Sequence, residues 1–190
     1  MRKVVLDLAV TLDGFIEGPN GEIDWCIMDE DVQDTSFNDF LNSIDTILYG
    51  RISYDMWGQY QPDADAGAAD KKLWETVHSK AKYVFSRKAT PDGKANYIHS
   101  DIAGEIEKLK ATPGKNLWLY GGANLITTFI NLGLVDIFRL AVHPIILGAG
   151  KPLFSNIQDR VALKLEDVKT AKSGVALMTY VRASINIPEL

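Results

Sequence analysis

The chain has 190 residues, a formal net charge of −5, and 46% hydrophobic against 24% charged side chains. Those proportions suit one globular domain that buries about 70% of its unfolded surface, and they exclude disordered, collagen-like and coiled-coil chains. The charge is uneven, because residues 1–50 hold 11 carboxylates against only Arg2 and Lys3, and the remainder is net positive. No Lys/Arg cluster is dense enough to neutralise many phosphates, so a nucleic-acid surface is not expected. The single cysteine, Cys26, excludes a disulfide framework and a multi-cysteine zinc site. His78, His99 and His143 lack metal-ligand spacing, and no metal is expected. Asp7 breaks the apolar start before it can read as a signal segment, and no run approaches a membrane span. The expected compartment is the cytoplasm.

In chain order, Lys3 to Val10 reads as a strand buried on both faces. Asp29, Glu30, Asp31 and Asp34 precede Phe37, Phe40, Leu41 and Ile44, a helical stripe whose start favours negative charge. Thr46 to Tyr49 is the next strand and ends at Gly50-Arg51-Ile52-Ser53. Leu73, Trp74 and Val77 mark a second helix, and Tyr83 to Phe85 a strand ending at Ser86-Arg87-Lys88. Ser100 is placed to cap a helix carrying Ile102, Ile106 and Leu109, stopped by Thr112-Pro113-Gly114. Leu117 to Tyr120 is a buried strand followed at once by Gly121-Gly122 and a helix from Ala123 to Leu132, with Gly133 as its stop.

The last third contains only strands: Ile137–His143, Val161–Val168 with a wet face from Lys164 and Glu166, and Val175–Arg182 after a Ser173-Gly174 turn. Strand–helix alternation followed by strands alone predicts an α/β domain with a mainly parallel sheet and an antiparallel C-terminal edge.

Three strand ends share one chemistry. Glycines at 121 and 122 let a ligand approach the backbone, and the following helix start, with no acid in its first turn, attracts an anion. Arg51 with Ser53, and Ser86 with Arg87, suit phosphate in the same way. Ligands of open parallel sheets bind beyond the carboxyl ends of strands, which favours one shared ligand over three solvated turns. Gly148-Ala149-Gly150-Lys151 fails as a phosphate loop because Ile145 and Pro152 occupy positions that need Gly and Ser/Thr.

Together these residues resemble the dihydrofolate reductase superfamily, and within it the stand-alone relatives of the riboflavin-biosynthesis reductase domain. The resemblance is carried by Leu12-Asp13-Gly14-Phe15-Ile16 with Asp24-Trp25, Gly50-Arg51-Ile52-Ser53-Tyr54, Ser86-Arg87 and Gly121-Gly122-Ala123-Asn124-Leu125. Gly133 to Asp136, His143 to Gly150 and Pro152-Leu153-Phe154 carry it further. It covers residues 3–182, within a single domain of residues 1–190. It implies a dihydrofolate reductase-like fold: a central, mostly parallel eight-stranded sheet with flanking helices and a reversed C-terminal strand. The implied activity is an NADPH-dependent oxidoreductase, transferring hydride to a small heterocycle or ribosylated pyrimidine, as 5-amino-6-(5-phosphoribosylamino)uracil reductase does. A dihydrofolate-type reductase and a nucleotide-binding protein without turnover are the alternatives.

By the same resemblance, Ala9 and Ile16 flank the nicotinamide, and Gly121, Gly122 and Ala123 form the pyrophosphate turn, with Asn124 and Leu125 beside it. Gly50, Arg51, Ser53, Ser86 and Arg87 lie around the adenosine phosphates. Glu30 and Asp13 are the candidate catalytic carboxylates. Asp24 stands where the family usually has proline, and the deaminase motifs of the bifunctional enzymes are absent. The substrate half, residues 13–60 by resemblance, contains only Arg51 as a cation, so the substrate is expected to lack a phosphate unless a partner subunit supplies the charge. A homodimer is implied. Ile137, Phe138, Leu140, Val142, Val175 and Leu177 either form its surface or complete the core.

Overall fold

The computed structural model describes residues 1–27, 36–88 and 91–183. Among them the strands are β1 (Val4–Thr11), β2 (Phe15–Glu17), β3 (Ile44–Gly50), β4 (Ala81–Phe85), β5 (Asn96–Ile98), β6 (Asn116–Gly121), β7 (Ile137–His143), β8 (Lys151–Pro152), β9 (Leu163–Thr170) and β10 (Ala176–Arg182). The helices are α1 (Asn38–Ser43), α2 (Arg51–Ser53, continued by a π-helical turn over Tyr54–Gly58), α3 (Ala68–His78), α4 (Ile102–Ala111) and α5 (Ala123–Asn131).

Eight strands form one sheet in the order β5-β4-β3-β6-β1-β7-β10-β9, and β2 pairs with β8 apart from it. The first six of the large sheet are parallel, and β10 runs antiparallel to β7 and β9. The expected fold class is therefore the observed one.

Strand alternation sorts the core into two layers. Val4, Leu6 and Val10 join Leu48, Leu117, Leu119 and Phe138 beneath α4 and α5. Val5 joins Ile47, Tyr49, Val84 and Trp118 beneath α1 and α3. Both faces of the central strands are covered, which is why their sequences run apolar without a break.

Three expectations are corrected. Ile44 begins β3 instead of ending a helix. Asp101, not Ser100, caps α4: its carboxylate accepts the Gly104 N–H at 3.1 Å, a bond its left-handed backbone allows. The strand expected over Val161–Val168 runs from Leu163 to Thr170 and is exposed on both faces, because it is the outermost strand, clear of the helices that cover the centre. Of the two readings for the C-terminal apolar residues, the core reading holds for Phe138, Leu140, Val175 and Leu177, each at most 9% exposed.

At the opposite edge from the strand ends, Arg2 is buried. Its guanidinium donates to the Lys115, Leu109 and Thr112 oxygens, to the Thr46 hydroxyl and to the Asp45 carboxylate. Asp136 does similar work beside it, accepting the Val4 N–H at 2.7 Å and pairing with Lys110 at 2.6 Å. Arg2→Met keeps the apolar stem but takes the guanidinium from the Lys115 carbonyl and from Asp45, which keeps the Thr46 hydroxyl and the Lys115 N–H as donors. It should lower stability by about 3 kcal/mol, read as an earlier urea midpoint at unchanged slope.

Candidate functional site

Because β4, β3 and β6 are neighbours, the three phosphate-suited strand ends meet at one edge of the sheet. The approach is close. A Cβ on Gly50 would lie 3.3 Å from the Gly122 nitrogen, and one on Gly122 would lie 3.2 Å from the Ser53 Oγ. Gly121 has φ +114°, a conformation that favours glycine, and the Gly121–Gly122 peptide is cis. α5 starts directly after this turn, with Gly122 extended at its cap, no side chain capping it and no acid in its first turn. Arg51 and Arg87 are exposed beside it, Arg51 in an ion pair with Asp55 at 2.6 Å. Of the other residues expected here, Asn124 is exposed, whereas Ala123 and Leu125 point into the core.

A second region lies on the α1 side of the sheet. β1 places Asp7, Ala9 and Thr11 there, β6 places Trp118 and Tyr120, and β7 places Arg139, Ala141 and His143. Asp7 and Arg139 are partners in register, 3.3 Å apart, with side chains 11% and 14% exposed. Burial lifts the Asp7 carboxyl to about 6, against a smaller opposing pull from Arg139. Arg139 is itself fixed by the Ser36 carbonyl and hydroxyl, both at 3.2 Å, and lies 4.7 Å over the Phe40 ring. The Tyr49 and Tyr120 rings meet at 5.0 Å, and among the described residues the buried Tyr49 hydroxyl has no hydrogen-bond partner.

Asp13 has a different position from the one expected of a proton donor. It is exposed, and its oxygens accept from the Thr11 hydroxyl at 2.6 Å and from the Leu147 and Gly148 amides at 3.2 and 2.8 Å. The Thr11 hydroxyl first, then those amides, hold its carboxyl below the usual range, so at neutral pH it is an ionised tie between two loops. Residues 148–151, which fail as a phosphate loop, belong to this tie, and Lys151 pairs with Glu17 at 2.9 Å. Ile16, partly buried on β2, packs against the core cluster beneath α4 and α5. His143 is buried at the end of β7, its ring edge-on to Trp25 at 5.3 Å. Glu30 lies outside the described residues.

Residues 2–177 match the RibD C-terminal domain family. The chain belongs to that family. The YyaP protein of Bacillus subtilis is 59% identical over 94% of this chain and 94% of its own length. YwjB of the same organism is 33% identical, covering 96% of this chain and 99% of YwjB. In the bifunctional deaminase and 5-amino-6-(5-phosphoribosylamino)uracil reductase of Thermotoga maritima, 57% of the chain shares this fold, with a TM-score of 0.66 and 18% identity over 96% of the present chain. A crystal structure from Shewanella sp. PV-4, provisionally named a riboflavin biosynthesis protein, aligns over 96% of this chain and 99% of its own with a TM-score of 0.78 at 24% identity.

For this RibD-type domain, sequence reading overlooks the Asp7–Arg139 pair, although a signal for it exists. Each residue is the single charge inside an otherwise apolar, doubly covered strand, and such a charge requires a partner. Arg139 brings a cation to the α1-side face from a distant part of the chain, outside residues 13–60, where Arg51 is the one Lys or Arg.

The pair makes stability depend on pH in a calculable direction. Asp7 titrates at about 6 in the folded chain against 3.8 ordinarily, so the folded state keeps a proton the unfolded chain has lost. Its contribution is complete below the ordinary value and is lost as pH rises through about 6. Asp7→Asn escapes that loss. Relative to the parent, it should gain about 2 kcal/mol between pH 4 and pH 7 in paired urea titrations.

Proposed function

We propose that this chain is an NADPH-dependent reductase of a small, uncharged heterocycle. One observation carries the reading: three strand ends bearing glycine, hydroxyl and arginine groups converge on a helix start that nothing in the described residues caps. The site fits a dinucleotide on its own terms. Gly50, Gly121 and Gly122 leave a bare backbone that a Cβ would fill, the α5 amides suit a pyrophosphate, and Arg51 and Arg87 suit a further phosphate on the adenosine. That extra phosphate separates NADPH from NADH. When bound, NADPH supplies a hydride from nicotinamide C4 to an electron-poor C=N or C=O carbon.

The protein's own part is to hold and orient. Ala9 and Tyr120, both partly exposed, offer a largely apolar strip to a ring, with the buried Tyr49 ring backing Tyr120 from the core. Within the strands, β1, β6 and β7 present one cation on this face, Arg139, and its guanidinium is already engaged by Asp7, by the Ser36 oxygens and by the Phe40 ring. That supports a substrate without a phosphate, unlike the phosphoribosyl compound in the name of the Thermotoga neighbour. The reading is of a cytoplasmic homodimer, for which the exposed Leu163, Leu165 and Val168 of β9 offer an apolar surface.

Millimolar NADPH should raise the melting temperature by about 5 °C or more, and NADH by clearly less. The double variant Arg51→Ala/Arg87→Ala should bind NADPH about tenfold more weakly while its NADH affinity stays unchanged, measured by calorimetry. Oxidation of NADPH is then followed with unphosphorylated pterins and quinazolines against phosphoribosylated pyrimidines. Faster turnover of the phosphorylated compounds would refute the uncharged substrate, and binding with no turnover at all would leave a nucleotide-binding protein.

A further inference from the structure

We infer that Asp7 is the acid that protonates the substrate in this site, with Arg139 as the residue that positions it. The inference rests on the reductase reading above, which brings the substrate ring to the α1-side face at the end of β1.

Position comes first. Asp7 and Ala9 are two residues apart on one strand, so their side chains share a face at a spacing of about 7 Å. At 11% exposed, the Asp7 side chain is largely shielded from bulk water, and Ala9 and Tyr120, on the same face, are partly exposed. Its neighbours leave it a proton to give. Asp13 is held ionised by a hydroxyl and two amides, whereas Asp7 meets one guanidinium nitrogen at 3.3 Å. Trp118 of β6 donates its indole N–H at 3.0 Å to the Asp7 backbone carbonyl, not to the carboxylate.

The guanidinium cannot swing in to neutralise the carboxylate more fully. Ser36 takes its other nitrogen through two oxygens, and the Phe40 ring lies beneath it. Among the described residues, Arg139 on β7 is the one charged group acting on Asp7; Tyr120 on β6 and Tyr49 on β3 are phenols that burial keeps protonated. The resulting balance leaves the carboxyl titrating at about 6, close to where a general acid works best at neutral pH.

The step balances with a nicotinamide as hydride donor. As the electron-poor carbon gains hydride, the C=N or C=O π pair moves onto the heteroatom. That atom takes the proton from the Asp7 O–H, and the carboxylate left beside Arg139 regains a proton from water. Arg139 does not touch the reacting atoms. It holds the carboxylate in place and limits how far its affinity for protons rises.

The test follows the Asp7 carboxyl itself, by carbon-13 NMR of Asp-labelled protein saturated with NADP⁺, alongside NADPH oxidation with the pterin, quinazoline and pyrimidine panel. The expected result is a titration between pH 5 and 7 that vanishes in Asp7→Asn and moves to higher pH in Arg139→Gln. With any compound that is turned over, kcat should fall above that titration, and Asp7→Asn should lose about 100-fold or more in kcat and the pH limb with it, its NADPH affinity unchanged. A carboxylate already ionised at pH 5 overturns the inference whether or not a substrate is found. So does an Asp7→Asn enzyme within threefold of the parent that keeps the same pH limb. Failure to bind NADP⁺ or NADPH overturns the reductase reading instead, and the two failures are thus distinct.

Discussion

The approach of Gly50 to the Gly121–Gly122 turn sets the geometry on which the functional edge depends. Two strand ends meet at less than the width of a side chain, with 3.3 Å between the Gly122 nitrogen and where a Gly50 Cβ would be. That contact starts α5 beside the start of α2, and β4 delivers Ser86 and Arg87 alongside. A Cβ at Gly50 would press on the Gly122 and Gly121 backbone at 3.3 and 3.4 Å, so that one strand end must give slightly, whereas at Gly122 the atom met is the Ser53 hydroxyl. The bare backbone that lets a ligand approach there would be filled, even if each strand end kept its own local structure.

Away from this edge the sheet handles charge by pairing it. Asp45 is matched by Arg2, Asp7 by Arg139, Glu17 by Lys151, and Asp13 by amides of the 144–150 loop. The acidic excess of the first 50 residues is therefore partly internal, resolved by contacts with later strands and loops. What remains distinctive is the quality of each pairing. Asp13 is so well served that it stays ionised, while Asp7 is buried with one lateral contact and rises. Two carboxylates six residues apart are thereby separated in proton affinity by their surroundings alone.

Much of this was legible from the sequence, for physical reasons. Parallel strands covered on both faces need continuous apolar runs, so the runs ending at Tyr49, Phe85 and Tyr120 declare themselves, and glycines after a buried strand mark the turn at 121–122. Elements whose stability is tertiary are harder to see. The three-residue β5, the helical turns over Arg51–Gly58 and the β2–β8 pair carry too few residues for any periodicity. Asp7 and Arg139 are obscured differently: each is averaged away inside an apolar run, and only the β1–β7 register shows that the two meet.

β1 is the earliest strand in the chain, yet it occupies the middle of the sheet, between β6 and β7. Its pairing partners, residues 117–119 and 137–143, come more than a hundred residues later. During synthesis the apolar segment from Val4 to Val10 must therefore wait, unpaired, until most of the chain has been made. Closure of long loops slows folding, and exposed strand segments attract other chains in the meantime. The central strand that organises the finished sheet is thus the segment left longest without a partner, and the time the nascent chain takes to reach residue 143 sets how long it stays at risk.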